Sequence, residues 1–185
     1  MIFAAVSTTQ AILAFGELKG SPSMNLAIRA SMVLFFFSQI SGQLIVAHGM
    51  SQVLVEGAFI LENVETSTTV GESGNLKLPH AISLHSIQAL PLLGLLLMGL
   101  PFSQAFQKII VLSSAIGFSA ITAFTQFHAY AGKHISDLST GQNIFLTLCM
   151  VLFLVPYLVA VVGRGIFLLC PPSADTHRLQ PTSNI

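Results

Sequence analysis

The chain has 185 residues, 53% hydrophobic and 8% charged, with seven basic side chains balancing seven acidic ones. A soluble domain carries about 25% charged residues, so this composition argues against a water-exposed globule, and a mean hydropathy of +0.80 points to lipid as the solvent. The absence of a basic stripe argues against nucleic acid as a partner. The expected partners are the bilayer and, within it, another membrane protein or a second copy of the chain.

A spanning helix needs about 20 mainly apolar residues to cross about 30 Å of hydrocarbon. On that criterion the predicted fold is all-α: a polytopic transmembrane helix bundle of five spans. Residues 1–170 form one domain, and residues 171–185 form a polar, proline-marked tail expected to be disordered or peripheral. The first segment, Met1 to Gly16, is marginal, reaching only about 24 Å as a helix. It lacks the positive n-region of a secretory signal, and a short first span and an interfacial helix both remain open.

The second span is predicted from Leu26 to Ala47, with Arg29 near its start. A long connection, residues 48–79, follows and contains Glu56, Glu62, Glu65 and Glu72. Its first part, SQVLVEGAFILENV, suits an interfacial helix or a small hairpin. Its second part, ETSTTVGESGNLKLPH, is loop-like, with Gly71 and Gly74 supplying turns. The third span is predicted from Ala81 to Leu100, with Pro79 suited to its first turn and Pro101 ending it. The fourth runs from Ala105 to Ala129, and the short LPFSQ turn makes the third and fourth an antiparallel hairpin. The loop Ala131 to Gln142 offers Asp137 or Ser139 to start the fifth span, which runs from Asn143 to Leu169. Cys149 and Cys170 form no zinc-type pair.

With five spans, Lys19, Arg29, Lys108, Arg164 and Arg178 share one side, and Lys77 and Lys133 the other. The positive-inside rule then places the N-terminus outside, the C-terminus inside and the 48–79 loop outside, in the cell membrane.

Ionisable groups within spans are costly and invite a functional reading. Arg29 and Arg164 lie near span ends, where their stems can snorkel; Glu17 is a candidate ion partner for Arg29. In the second span Gln39 and Gln43 share a face beside a small-residue stripe of Ser38 and Gly42. Together with Thr125 and Gln126 of the fourth span, they read as helix-packing hydrogen bonds or the lining of a polar cavity.

The candidate ligand-binding residues are His48, His80, His85, Gln88 and His128, which approach the same side as Lys133. Imidazoles from different helices can ligate haem iron or a borderline metal, relay protons, or simply tie helices together. His85 and Gln88 are spaced to meet, whereas His80 and His85 are about 140° apart around one helix, unlike the zinc HExxH arrangement. Pro91 deprives the Ile87 carbonyl of its usual helical partner, which invites a kink or a local cavity.

The stretches RASMVLFFFSQISGQLIVAHG from Arg29 and PHAISLHSIQALPLLG from Pro79 resemble a family of uncharacterised bacterial multi-span membrane proteins with an HxxxLHxxQxLPLL-type helix. The resemblance implies the multi-span architecture and singles out His80, His85, Gln88 and Pro91; it implies no reaction and no cofactor. Walker, Rossmann, GxSxG and metalloprotease signatures are absent. Three functions stay open. The leading one is a non-enzymatic accessory or partner-binding subunit with a small-ligand pocket. The others are a haem- or metal-dependent enzyme or redox subunit using the outer-end histidines, and an oligomeric channel or transporter.

Overall fold

The computed structural model describes residues 9, 16, 19–56, 68–71 and 73–169, with residues 52–56 as backbone only. In chain order these form α1 (Pro22–Glu56), a two-stranded antiparallel hairpin of β1 (Thr69–Val70) and β2 (Gly74–Asn75), then α2 (Lys77–Leu84), α3 (Ser86–Leu97), α4 (Gln104–Tyr130) and α5 (Thr140–Leu169). Four stretches are long and apolar enough to cross a membrane: Pro22–Ser51, Lys77–Leu97, Gln104–Tyr130 and Thr140–Leu169. The marginal first segment, and with it the fifth expected span, lies outside the described residues apart from Thr9 and Gly16, as do the centre of the long loop and the tail.

The second predicted span does not stop at Ala47. α1 continues to Glu56, because HGMSQVLVE contains no proline to halt it. At about 1.5 Å per residue its 35 residues reach about 52 Å, well beyond the hydrocarbon thickness. The third predicted span is broken at His85 into α2 and α3. There the His85 N–H is shared between the Ala81 and Ile82 carbonyls. Two residues earlier the Ser83 hydroxyl bonds back to the carbonyls of Pro79 and His80, at 2.8 and 3.0 Å, a contact that bends helices. α5 begins where Ser139 allows. Its hydroxyl accepts the Gln142 N–H while Gln142 Oε1 accepts the Ser139 N–H, a reciprocal capping box.

α4 is the central helix, packed against α1, α2, α3 and α5. The core joins Ala27 and Leu34 of α1, Leu90, Leu93 and Leu97 of α3, Ile110, Val111, Ala115 and Phe118 of α4, and Ala160 of α5. α1 turns a stripe of buried small residues inward: Ser23, Ala27, Ser31, Ser38 and Ser41. Small side chains let backbones approach, and the Ser86 hydroxyl reaches across to the Ser31 carbonyl at 3.1 Å. Away from the stripe α1 exposes Phe36, Phe37, Ile40 and Leu44, and α5 exposes Leu148, Leu154, Leu158 and Ile166.

The α4–α5 pair shows how a proline inside a helix is accommodated. Pro156 lies inside α5 and removes the N–H that would bond the Leu152 carbonyl. α4 supplies a replacement, with Ser113 Oγ donating to Leu152 O at 3.4 Å, while Ser114 Oγ adds a bond to the neighbouring Phe153 O at 3.2 Å. Gly117 permits this proximity, since a Cβ there would lie 2.6 Å from Phe153 N and 2.7 Å from Cys149 O. Near Pro91 the Tyr157 hydroxyl donates to Ala89 O at 2.6 Å.

Chain direction places the end of α1, the β-hairpin, the start of α2 and the α4–α5 loop together, here the hairpin end. The start of α1, the α3–α4 turn and the end of α5 form the opposite end, where Arg164 donates to the Met98 carbonyl and Arg29 to the Gly16 carbonyl at 3.2 Å.

Candidate functional site

The polar side chains of the hairpin end are assembled by two glycine turns lying back to back. α4 ends at Tyr130, and Gly132, with φ of 68°, reverses the chain while its N–H returns to the Ala129 carbonyl at 3.0 Å. The β-turn uses Gly71, with φ of 61°. Both values lie in the left-handed region that only glycine adopts freely. The hairpin is fastened to this helix end by Ser73 N–H to Gly132 O at 3.3 Å. Gly74 sits so close that a Cβ would fall 2.0 Å from the Ala129 carbonyl oxygen. On the other flank the protruding end of α1 contributes His48, whose Nε2 donates to Thr69 O at 2.9 Å.

Between hairpin and loop lies a cavity of about 350 Å³ lined by Thr69, Ser73, Asn75, Leu78, Thr125, His128, Ala129, Lys133, His134 and Ile135. His128 is buried. Its ring stacks on Phe124 with centroids 5.6 Å apart, and its Nε2 faces the His134 carbonyl at 2.8 Å. A carbonyl only accepts, so Nε2 carries the proton and Nδ1 is left as an acceptor. His134 Nδ1 pairs with Ser136 Oγ at 2.8 Å. Asn75 Oδ1 accepts the Lys77 N–H at 2.9 Å, which leaves its amide N–H groups unspent. Lys133 is the one full charge among the described lining residues, and none of these is an acid.

The remaining candidates are placed elsewhere. His80 leans on α1, where its Nδ1 donates to Ser38 O at 2.9 Å. Its Cε1 lies 2.9 Å from where a Cβ on Gly42 would stand, so the missing side chain is the seat of the ring. His85 is exposed at the helix break and pairs with Gln88 through Nδ1 and Oε1 at 2.9 Å. Gln39 is half-buried and Gln43 exposed, and it is their neighbours Ser38 and Gly42 that make the interhelical contact. Thr125 bonds back to the Ile121 and Thr122 carbonyls, whereas Gln126 bridges helices by accepting from Ser41 Oγ at 3.0 Å.

Thus His48, through Thr69, and His128 belong to one neighbourhood, while His80 and the His85–Gln88 pair belong to two others. Among the described residues no three His, Cys, Asp or Glu side chains are grouped to hold a metal ion. The residues that the sequence reading did not select, Ser73, Asn75 and His134, come from segments distant in sequence. Their one signal was the glycine punctuation on either side, at Gly71, Gly74 and Gly132. Comparison with protein-family models, with curated proteins and with solved structures finds no match.

Proposed function

We propose that this chain is a multi-pass integral membrane protein of non-enzymatic, accessory type that binds a small anionic ligand at its hairpin end, facing the outside of the cell membrane. The observation that carries the reading is the capped cavity itself. It gathers Lys133, the Asn75 amide and His134 beneath a hairpin, with no acid among the described lining. Cation and neutral donors converging in a recess suit a carboxylate or phosphate group. Membrane insertion is supported by the four long apolar stretches. The orientation is supported by the distribution of cations, with Lys19, Arg29, Lys108 and Arg164 toward the opposite end and Lys77 and Lys133 at the hairpin end.

The test is thermal unfolding of the detergent-purified protein with phosphate, short carboxylates and matched chloride salts. Phosphate or carboxylate is expected to stabilise the protein, by about 2.7 kcal/mol at one hundred times Kd. Lys133→Met should abolish the gain and Lys133→Arg should retain most of it. Equal shifts for wild type and Lys133→Met would defeat the proposal.

A second reading, a haem- or metal-dependent redox subunit, draws on His80. Its Nδ1–H is held by a carbonyl, the usual way a ligating imidazole is oriented through its other nitrogen. A Soret band in protein purified from native membranes, lost in His80→Ala, would favour it over the anion site.

A further inference from the structure

α2 and α3 together make up the apolar stretch Lys77–Leu97, 21 residues long. Its exposed positions are Lys77, Ala81, His85, Gln88, Leu92 and Leu95, at the three- and four-residue spacing of a single helical face. Leu92 and Leu95, each about half exposed, are what a lipid-facing surface calls for. His85 and Gln88 are not. They flank Ile87, the midpoint of the stretch, about 15 Å from either end. The packing gives the same depth, since Tyr157, near the middle of α5, reaches the Ala89 carbonyl. Polar side chains at such depth ordinarily face the interior of a bundle, and hydrocarbon holds no water to take up their spare hydrogen bonds. These two have bonds to spare. His85 Nδ1 meets Gln88 Oε1 at 2.9 Å. An amide oxygen only accepts, so Nδ1 carries the proton and His85 Nε2 is left as an acceptor, while Gln88 Nε2 keeps both its N–H groups. Among the described residues neither nitrogen has a partner. The face therefore presents one free donor and one free acceptor side by side.

We infer that two copies of this chain pair in the membrane through this face, Gln88 Nε2 of each donating to His85 Nε2 of the other. The inference rests on the membrane reading above and not on the anion site. Copies inserted alike share one orientation, so the two-fold axis of their dimer runs along the membrane normal and keeps every residue at its own depth. His85 and Gln88 already touch within one chain, so their tips share a depth and the reciprocal contact closes, donor to acceptor, twice. Ala81, about one turn from His85 toward the hairpin end, leaves the helices free to approach, and Leu92 and Leu95 continue the seam on the other side. Lipid headgroups lie outside the hydrocarbon and do not reach this depth. A single carbonyl on a small molecule would meet the donor and leave the acceptor unmet.

The experiment uses the full-length protein in phosphatidylcholine vesicles, on a background of Cys149→Ala with Cys170→Ser. Förster transfer between copies labelled through Ser136→Cys, followed as the protein is diluted with lipid, gives the affinity of the dimer. Gln88→Leu removes both donors of the pair and should weaken it about five- to tenfold, the worth of two average hydrogen bonds in a membrane. Gln88→Leu and His85→Leu copies, mixed, should pair with each other about threefold more than with themselves, because only the mixed dimer regains one donor–acceptor contact. A variant that failed to fold would not be rescued by mixing. Oxidation should cross-link Ala81→Cys and not Leu158→Cys, which is exposed on α5. A wild type that stays monomeric, a dimer that Gln88→Leu leaves intact, a mixture without preference for the mixed pair, or equal cross-linking at both positions would each overturn the assignment. So would native mass spectrometry that finds a quinone or a different protein in place of the second copy. A protein that carbonate strips from the membrane fails the membrane reading instead, so the two failures are distinguishable.

Discussion

At the scale of single residues, the hairpin pocket depends on one missing atom. Any Cβ at Gly74 collides with the Ala129 carbonyl oxygen and also lies 2.7 Å from Val70 O. Both are backbone atoms, so no side-chain rotation relieves the clash. Gly74→Ala should therefore lift the hairpin from the end of α4 and cost about 1–3 kcal/mol, as overpacking does. The signature is faster amide exchange at Ser73, whose N–H is bonded to Gly132 O, with the exchange of α5 unchanged. If Ser73 exchange is unaltered, the hairpin is not fastened where it is described. Local pairings were legible at this scale, because they need only spacing. His85 with Gln88, Ser139 at the start of a helix and Gly71 in a turn were all anticipated. The partners of His80 and His128 were not, because one lies across a helix pair at Ser38 and the other is the backbone carbonyl of a loop residue, His134.

At the scale of elements, the sequence reading anticipated the carbonyl freed by Pro91 and did not consider Pro156, and it named no remedy for either. The sequence shows which carbonyl a proline frees; only packing shows which neighbour meets it. Ser113 and Ser114 meet carbonyls near Pro156 in α5, and their worth follows from what interhelical hydrogen bonds contribute in membranes, about 0.6 kcal/mol each on average. The double variant Ser113→Ala with Ser114→Ala should lower unfolding free energy by about 1 kcal/mol in detergent titration. The effect should shrink when Pro156→Ala is added, because the restored N–H at position 156 takes over the Leu152 carbonyl. Strict additivity of the three changes would show that the serines do not serve the proline site. The same contrast explains the length of α1. Apolar character marked its beginning but not its end, since its last turns project beyond the apolar stretch and are held by His48 against Thr69.

At the scale of the whole molecule, composition and apolar run lengths indicated five spans, of which four are long apolar helices among the described residues, and helix direction then fixes which loops share an end. The candidate site was only half legible, because convergence at one end says which residues are neighbours in depth and not which are neighbours around the bundle. His80 and the His85–Gln88 pair share that end with His128 yet are not among the described residues that line its cavity. The depth argument is itself open to test. If the four apolar stretches cross, residues 21 and 103 lie at one face of the membrane and residues 73 and 136 at the other, whatever the segment before α1 does. On a background of Cys149→Ala with Cys170→Ser, the single variants Ser73→Cys and Ser136→Cys should react in intact cells with a membrane-impermeant maleimide. Ser21→Cys and Ser103→Cys should react only after the membrane is opened, with at least a tenfold difference in labelling between the pairs. The reverse pattern would invert the orientation and move the anion pocket to the cytoplasmic face while leaving the bundle intact. Equal labelling of all four in intact cells would mean that the helices do not cross, and lipid would no longer account for the apolar faces of α1 and α5.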